Sequence, residues 1–311
     1  MPTHAVTPNA VEDERRPDNQ CPGCEGRSFS PFARKRDYAY LRCRTCGLLA
    51  IDPMPSEEDI AGHYALKFKS GNYATIRAFA PAYRSVYRQY ASWMSTLTTL
   101  ESARVLDVGC FTGELMDVLV NEAQCDAYGV ELQDEAASIA EAKLPGRVFR
   151  HNIDHQSSFL PDGSFDVVTM MGLIEHVQLP ESLLKRSRAL LKDGGWLFIQ
   201  TPNASSLAAT ISRSHWPPLA PVEHLYLFSE RAIRTVLERC GFQVREIRAH
   251  VKRLPLAYVY DMLQHFGPEW RKIVKPIYGA LPARLQQSKA PFYAGEMLVA
   301  AQAMSGGKRH D

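Results

Sequence analysis

The chain has 311 residues, 45% of them hydrophobic, with 36 Lys and Arg against 34 acidic residues and a formal charge of +2. That length is ample for one large core, or for a core domain plus a small module. The near-balanced charge gives no global argument for binding nucleic acid or a membrane surface. No apolar run reaches the roughly 18 to 20 residues that a bilayer span needs.

Residues 1–20 are polar, lack a hydrophobic signal core and read as a disordered lead. Residues 21–52 carry two cysteine pairs, Cys21 and Cys24 in CPGCEG and Cys43 and Cys46 in LRCRTCGLL, with eighteen residues between the pairs. Seven cysteines without a secretion signal point to a reduced, cytoplasmic setting, where clustered thiolates bind metal rather than form disulfides. The spacing matches a four-cysteine zinc ribbon. Four thiolates fill a tetrahedral shell, so Zn2+ held there is structural and leaves no open position for a substrate. A module of about 30 residues buries too little apolar surface to fold alone, and the metal supplies the missing stability. A glycine just after the second cysteine of each pair is expected to permit the tight turn of a knuckle. The densest basic patch, Arg34-Lys35-Arg36 with Arg42 and Arg44, lies in this module and reads first as a solvated face. Cys110, Cys125 and Cys240 are scattered and read as plain buried residues.

Residues 53–102 read as a helical linker or cap. IDPMPSEED breaks the chain with two prolines and starts a helix at Ser56, and Pro81 interrupts the helical stretch that follows. Tyr64, Tyr73, Tyr83, Tyr87 and Tyr90 fall here, expected to pack against the next domain, with some available to line a substrate pocket.

From 103 to 311 short apolar strands alternate with helices. RVLDVG, DAYGVE, RVFRHN, FDVVTMMG, WLFIQTP, QVREIRAH and GEMLVAAQA read as seven strands. Between them, GELMDVLVNEA, DEAASIAEAKL, ESLLKRSRALLK and SERAIRTVLERCGF read as helices. The third of these is expected to stop at Asp193-Gly194-Gly195, and the fourth to be capped by Ser229 and followed by Gly241. The alternation predicts an α/β fold: a doubly wound, mostly parallel seven-stranded sheet with helices on both faces. Two segments interrupt it. Residues 203–228 read as a long proline-rich loop, and 251–290 as a helical insertion; long insertions near strand ends serve as lids or interaction surfaces.

In such a sheet a ligand sits beyond the carboxyl ends of the strands, at the switch point. The first strand ends in Asp107-Val108-Gly109-Cys110-Phe111-Thr112-Gly113, and the second in Glu131, 22 positions after Gly109. An acid there can accept hydrogen bonds from a ribose diol. The G-x-x-x-G spacing lacks the G-x-G-x-x-G that rests a pyrophosphate on a helix N-terminus, which argues against a nicotinamide oxidoreductase. A carboxylate at Asp107 would repel a pyrophosphate and suits a cationic ligand.

These motifs, with YGVE, HNID, FDVVTMMGLIEHV and LLKDGGWLFIQTPN in that order, resemble the class I S-adenosylmethionine-dependent methyltransferases over roughly residues 60 to 302. The fold is that of the Rossmann-like methyltransferases. Phe111 stands where the family usually has its middle glycine. By that resemblance Gly109 and Gly113 border the methionine half of S-adenosyl-L-methionine, and Asp107 helps hold its ammonium. Glu131 binds both ribose hydroxyls and Leu132 touches the adenine. Asn152 and Ile153 meet the adenine edge, while Met171 and Gly172 border the sulfonium. The plainer alternatives are a solvated strand-end acid for Glu131 and a turn cap for Asn152.

The transferred methyl already sits on a cationic sulfur, so the protein has to align an acceptor and remove its proton. Histidine suits that removal. His224 in VEHLYLF is the first choice, then His176 in IEHV, which could equally be structural, then His215 in SHWPP. No nucleophile triad and no second metal-ligand cluster is expected, which argues against covalent catalysis. The implied reaction is O-methylation of a small-molecule acceptor, a sugar or a natural product. The balanced charge and the aromatic, proline-rich loop favour this over RNA methylation with the ribbon gripping RNA. A third reading, a catalytically silent cofactor-binding protein, rests on Phe111. Neither oligomeric state nor the atom methylated follows from the sequence.

Overall fold

The computed structural model of the chain describes residues 20–69, 80–153, 160–257, 259–260, 268–286 and 288–305. The lead up to residue 19 and Tyr73 therefore lie outside the described residues, as does the side chain of Tyr83.

The cysteine module forms strands β1 (Phe29–Lys35), β2 (Tyr38–Cys43) and β3 (Leu49–Asp52). Helix α1 (Glu57–Lys69) follows, and Ser56 caps it: its Oγ accepts from the Asp59 amide at 3.1 Å while Asp59 accepts from the Ser56 amide, a reciprocal box. Helix α2 (Ala80–Ser95) leads into β4 (Arg104–Val108), α3 (Glu114–Asn121), β5 (Asp126–Val130), α4 (Asp134–Lys143) and β6 (Val148–Phe149). Then come β7 (Phe165–Met171), α5 (Pro180–Leu190) and β8 (Leu191–Pro202). The expected stop at Asp193-Gly194-Gly195 instead belongs to β8. Gly194 turns in the left-handed region (φ 76), and a Cβ on Gly195 would stand 3.0 Å from the Lys192 carbonyl.

The stretch 203–228 holds more order than a loop: a short helix α6 (Leu207–Ser212), capped by Ser206, and a two-residue strand β9 (Tyr226–Leu227). Helix α7 (Glu230–Arg239) has Ser229 as N-cap, its Oγ accepting from the Ala232 amide at 3.0 Å, and Gly241 beyond its end at φ 84. Strands β10 (Phe242–Ala249) and β13 (Glu296–Ala303) flank the insertion, which is framed by an antiparallel pair, β11 (Lys252–Pro255) and β12 (Lys289–Phe292), around helices α8 (Pro268–Gly279) and α9 (Ala283–Gln286).

The main sheet has seven strands in the order β10-β13-β8-β7-β4-β5-β6, parallel except for β13, which runs antiparallel to both neighbours. Side chains alternate across it. Leu197 and Ile199 of β8 join a core with Leu183 and Leu184 of α5 and Ile233 and Val236 of α7, while Phe198 between them packs with Val86, Trp93 and Met94 of α2. Helices therefore cover both faces. Winding starts at β4, moves out through β5 and β6, then crosses to β7 and β8, so the switch point lies between the carboxyl ends of β4 and β7.

The cysteine module does not stand apart. Its sheet runs β1-β2-β3-β9, the last strand coming from the 203–228 stretch, with Leu49 opposite Leu227 and Ala50 opposite Tyr226. Tyr40, Leu48, Leu49 and Ile51 share one continuous core with Tyr226, Phe228, Ala232 and Ile233. A module too small to bury its own apolar surface thus completes its core on the larger domain. No helix among the described residues is long and apolar enough to cross a membrane.

Candidate active site

At the end of β4 the chain turns through Gly109 (φ 72), Phe111 (φ 52) and Gly113 (φ 78), all left-handed. Added side chains would crowd both glycines: a Cβ on Gly109 would meet Leu173 at 3.0 Å and one on Gly113 would meet Ala140 at 3.1 Å. Phe111 adopts the same region despite its Cβ, a penalty of roughly 1–2 kcal/mol. Its amide donates to Glu131 Oε2 at 2.9 Å, which holds the residue there. The loop thus keeps a three-point left-handed turn with one glycine missing.

Glu131, one residue past β5, is fixed by two backbone amides, Phe111 on Oε2 and Gln133 on Oε1 at 2.8 Å. Each oxygen retains a second lone pair for a diol hydroxyl. Leu132 beside it is 65% exposed, an apolar surface beside that carboxylate. Gly129 of the YGVE run has a packing reason, since a Cβ there would overlap Met116 Sδ and Cys110 Sγ.

Asp107 is 3% exposed and accepts from the Thr169 hydroxyl at 2.6 Å. Burial pushes its carboxyl up to about 7, against the lowering effect of the Thr169 bond, and the charge of Glu131 adds to the rise. Thr169 is a site residue that the sequence reading missed. The parallel register of β4 and β7 sets Asp107 opposite Thr169, and one-strand patterns do not carry that register. Asn152 is exposed, whereas Ile153 is buried in the main core with its carbonyl held by Arg186 at 3.1 Å. Asp154 of HNID lies outside the described residues. At the end of β7 Met171 is half-buried, and the left-handed Gly172 (φ 69) donates its amide to the Gln200 carbonyl at 2.8 Å.

Just beyond Gly172 stands a grouping of potential ligand side chains that the sequence reading did not expect. Glu175, His176 and His224 each offer one ligand atom within 4.8 Å of the others. Backbone bonds bring them together: the Glu175 carbonyl accepts from the amides of Leu225 at 2.8 Å and Tyr226 at 3.2 Å. The two imidazoles meet edge to face, centroids 4.8 Å apart. His176 Nδ1 lies 2.7 Å from the Glu223 carbonyl and 2.9 Å from the Tyr64 hydroxyl. A carbonyl only accepts, so Nδ1 carries the proton of the neutral ring and Nε2 the lone pair. His224 Nδ1 faces the Pro218 carbonyl at 2.7 Å, and the same assignment follows. Glu175 is 2% exposed and accepts from the Thr201 hydroxyl at 2.9 Å. Burial pushes its carboxyl up to about 8, which the Thr201 bond only partly offsets and the charges of Glu296 and Glu223 reinforce. A Cβ on Gly172 would stand 3.8 Å from Glu175 Oε1, so the cluster adjoins the end of β7.

Glu175 escaped the sequence reading because an acid beside a histidine reads as surface charge until burial is known. Tyr64, carried by α1, is the expected tyrosine that reaches the site. Tyr87 and Tyr90 pack edge to face at 6.0 Å instead. His215 stands exposed with Ser214 and is not brought into the cluster. A shallow groove between α1 and the cysteine module is lined by Tyr38, Glu58, Asp59, His63, Leu66 and Val222.

Cys21, Cys24, Cys43 and Cys46 converge, with Sγ–Sγ separations of 3.5 Å for Cys21–Cys46 and 3.6 Å for Cys24–Cys43. Zinc–thiolate bonds of about 2.3 Å require sulfurs roughly 3.7 Å apart in a tetrahedron, so the donor set fits. The left-handed positions in the two knuckles are Glu25 (φ 61) and Gly47 (φ 80). Gly26 serves close approach instead of turning, because a Cβ there would lie 3.0 Å from Thr45 Oγ1 and 3.3 Å from Cys24 Sγ. The clamp is tied to the histidines. The Tyr40 hydroxyl donates to the His224 carbonyl at 3.0 Å, the Ile51 amide to the Leu225 carbonyl at 3.0 Å, and the Ser229 hydroxyl to the Cys46 carbonyl.

Comparison with known proteins bears on the family and the fold. A family model described as a methyltransferase domain matches residues 82–247. A ubiquinone biosynthesis O-methyltransferase of Albidiferax ferrireducens is 34% identical over 118 residues, 36% of this chain and 46% of that protein. One from Bordetella avium is 33% identical over 185 residues, 55% of this chain and 74% of that protein. The chain therefore spans about half the length of the first relative and about three quarters of the second. Among solved structures, a SAM-dependent methyltransferase of Thermotoga maritima superposes with a TM-score of 0.50 at 19% identity, over 76% of this chain and 97% of that one, a likeness of fold.

Proposed function

This chain belongs to the methyltransferase-domain family, and from that premise we propose that it transfers the methyl group of S-adenosyl-L-methionine to a hydroxyl of a small-molecule acceptor. The observation that carries the reading is the position of the Glu175–His176–His224 cluster, beside Gly172 at the switch point and across from the loop of Gly109 and Gly113. The cofactor, when bound, supplies a methyl group on a cationic sulfur. Asp107 would hold its ammonium, Glu131 its ribose hydroxyls, and Leu132 and Asn152 the adenine. Met171 and Gly172 would border the sulfur, while Ile153 acts only as support from the core.

His224 is the proposed proton acceptor. With its Nδ1 proton turned to Pro218, Nε2 can take the acceptor's hydroxyl proton. The acceptor oxygen then forms the new O–C bond as the methyl's bond to sulfur breaks, and that electron pair stays on sulfur. His176 and Tyr64, in contact with each other at 2.9 Å, would orient the acceptor. The O-methyltransferase names of the two curated relatives support oxygen as the atom methylated. Zinc in the cysteine clamp is proposed as structural.

His224→Ala should lower turnover by about 100- to 10,000-fold, the usual worth of a positioned acid–base group, while S-adenosylhomocysteine binds within twofold of wild type by calorimetry. Unchanged turnover would move the proton acceptor elsewhere. Steep salt-dependent retention of bulk RNA on a filter would favour an RNA acceptor gripped by the exposed Arg34, Arg36 and Arg44.

A further inference from the structure

We propose that Gln200 is a specificity-determining residue whose side-chain amide binds a second hydroxyl of the acceptor, on the carbon next to the one that carries the methylated oxygen, so that the acceptor is a vicinal diol. This rests on the reading of the space beside Gly172 as the place of methyl transfer and specifies what enters it.

The first observation is a buried polar side chain without a partner. Gln200, near the end of β8, is 8% exposed. The buried polar side chains around it are paired. On β7 and β8, Thr169 donates to Asp107 at 2.6 Å and Thr201 to Glu175 at 2.9 Å, and just past β8 Asn203 donates to Glu230 at 3.0 Å. The Gln200 amide, with two N–H donors and an acceptor oxygen, makes no side-chain hydrogen bond among the described residues. An amide buried without a bond is costly, and in a native fold it marks a place kept for another group.

The second observation is where that amide points. A Cβ on Gly172 would stand 3.6 Å from Gln200 Oε1 and 3.8 Å from Glu175 Oε1, so the missing side chain leaves a place flanked by two oxygens of the chain. Gly172 holds φ 69, which side chains rarely adopt, and that keeps the place open. The backbone fixes the arrangement: the Gly172 amide donates to the Gln200 carbonyl at 2.8 Å, and Gln200 lies opposite Met171 in the β7–β8 register. Neighbouring strands stand about 4.8 Å apart. Met171 and Gly172 are the residues read as bordering the sulfur, so a group bound by Gln200 is a near neighbour of the oxygen that takes the methyl. Two oxygens on adjacent carbons fit that spacing. The amide is neutral and can donate to a hydroxyl or accept from it, whichever way it is turned. A site built to bond a second hydroxyl rejects the analogue that lacks it, because its own polar group is then left unpaired.

The test compares the full chain with its Gln200→Met variant, which keeps an unbranched side chain and removes every hydrogen-bonding atom from its end. Without ligand the variant should melt about 2 °C or more above wild type, because an unpaired buried amide has been replaced by an apolar group of similar shape. With S-adenosylhomocysteine present, cis- or trans-cyclohexane-1,2-diol should raise the melting temperature of wild type more than cyclohexanol does at the same concentration. On the variant the diols and cyclohexanol should act alike. In transfer assays wild type should prefer a diol to cyclohexanol by at least about tenfold in kcat/KM, and the variant by about twofold or less. A variant that melts at or below wild type, or that keeps the diol preference, overturns the proposal, and so does a wild type that neither diol stabilises beyond cyclohexanol. The transfer assay separates this from the functional reading. Diol-specific stabilisation with no methyl reaching any of the probes would retain the Gln200 contact and sink the reading. Transfer to diols and cyclohexanol alike would retain the reading and sink the contact.

Discussion

Two side-chain clusters among the described residues are built on opposite plans. The cysteine clamp offers four donors of one kind, with sulfurs at 3.5 and 3.6 Å in their closest pairs, and a shell of four has no place for a substrate. The Glu175–His176–His224 cluster offers three donors of mixed kind, each braced from behind, beside a left-handed glycine at the end of a parallel strand. On the function proposed above, the first plan serves stability and the second serves removal of the acceptor's proton. They are also joined: β9, which closes the clamp's sheet, begins two residues after His224. The clamp therefore helps fix where that histidine stands.

The comparison breaks most sharply at the clamp. Cys43→Ser should release zinc and destabilise the chain by at least about 4 kcal/mol, the range in which loss of a structural metal falls. For a domain of this size that is a fall of roughly 8 °C or more in melting temperature. Because the clamp shares its core with Tyr226, Phe228 and Ala232, transfer should be lost along with stability. Calorimetric melting together with zinc analysis reads both. A variant that melts like wild type yet has lost zinc would make the clamp dispensable for folding and remove the contrast.

The cofactor side should respond more gently. Glu131→Ala removes a charged acceptor fixed by two amides and leaves those of Phe111 and Gln133 without it. Binding of S-adenosylhomocysteine should weaken by about 1–3 kcal/mol, roughly 5- to 150-fold in Kd. Thermal stability should move far less than in the cysteine variant. Equal binding by the variant would leave Glu131 as a solvated strand-end acid.

Asp107 supplies a pH signature on the cofactor side. Burial raises its carboxyl to about 7, so in the ligand-free chain it is largely neutral at pH 6 and ionised at pH 8. The cofactor's ammonium favours the ionised form, and binding must therefore expel a proton at low pH. Affinity should be level above about pH 8 and fall as pH drops through 7, approaching tenfold per unit. Calorimetry in two buffers of different ionisation heat would detect the released proton. Asp107→Asn should abolish the slope, and a slope that survives assigns it to another group.

Much of this architecture could be read from local pattern. Apolar runs such as RVLDVG and WLFIQTP, ended by glycine or proline, mark strands because buried parallel strands need no polar face. Ser56, Ser229 and Gly241 mark helix ends through their own backbone chemistry. Phe111 concealed its left-handed turn because a non-glycine there is held by a carboxylate twenty residues away. The partners of the site were concealed for the same kind of reason. Thr169 meets Asp107 only through the β4–β7 register, and Tyr64 meets His176 across 112 residues of sequence. Strand β9 has two residues, too few for any period to show, and its existence depends on β3 being there to pair with it. Sequence periodicity reports which face is buried; it carries no information on which distant residue shares that burial.

The subtlest effect tests the link between the two clusters directly. The Tyr40 hydroxyl, from the clamp's sheet, donates to the His224 carbonyl at 3.0 Å, a direct tie between the module and the histidine. Tyr40→Phe keeps the buried ring and deletes one neutral hydrogen bond, so the chain should lose only about 0.5–1.5 kcal/mol of stability. Zinc content and S-adenosylhomocysteine affinity should not change, because the clamp's sulfurs and the β4 loop are untouched. Turnover should fall several-fold at unchanged KM for the acceptor, since the imidazole is less well held while every other side chain of the cluster is untouched. A merely structural tyrosine would lower the melting temperature and leave turnover per folded molecule where it was. That result would show two clusters that share a core without sharing a function.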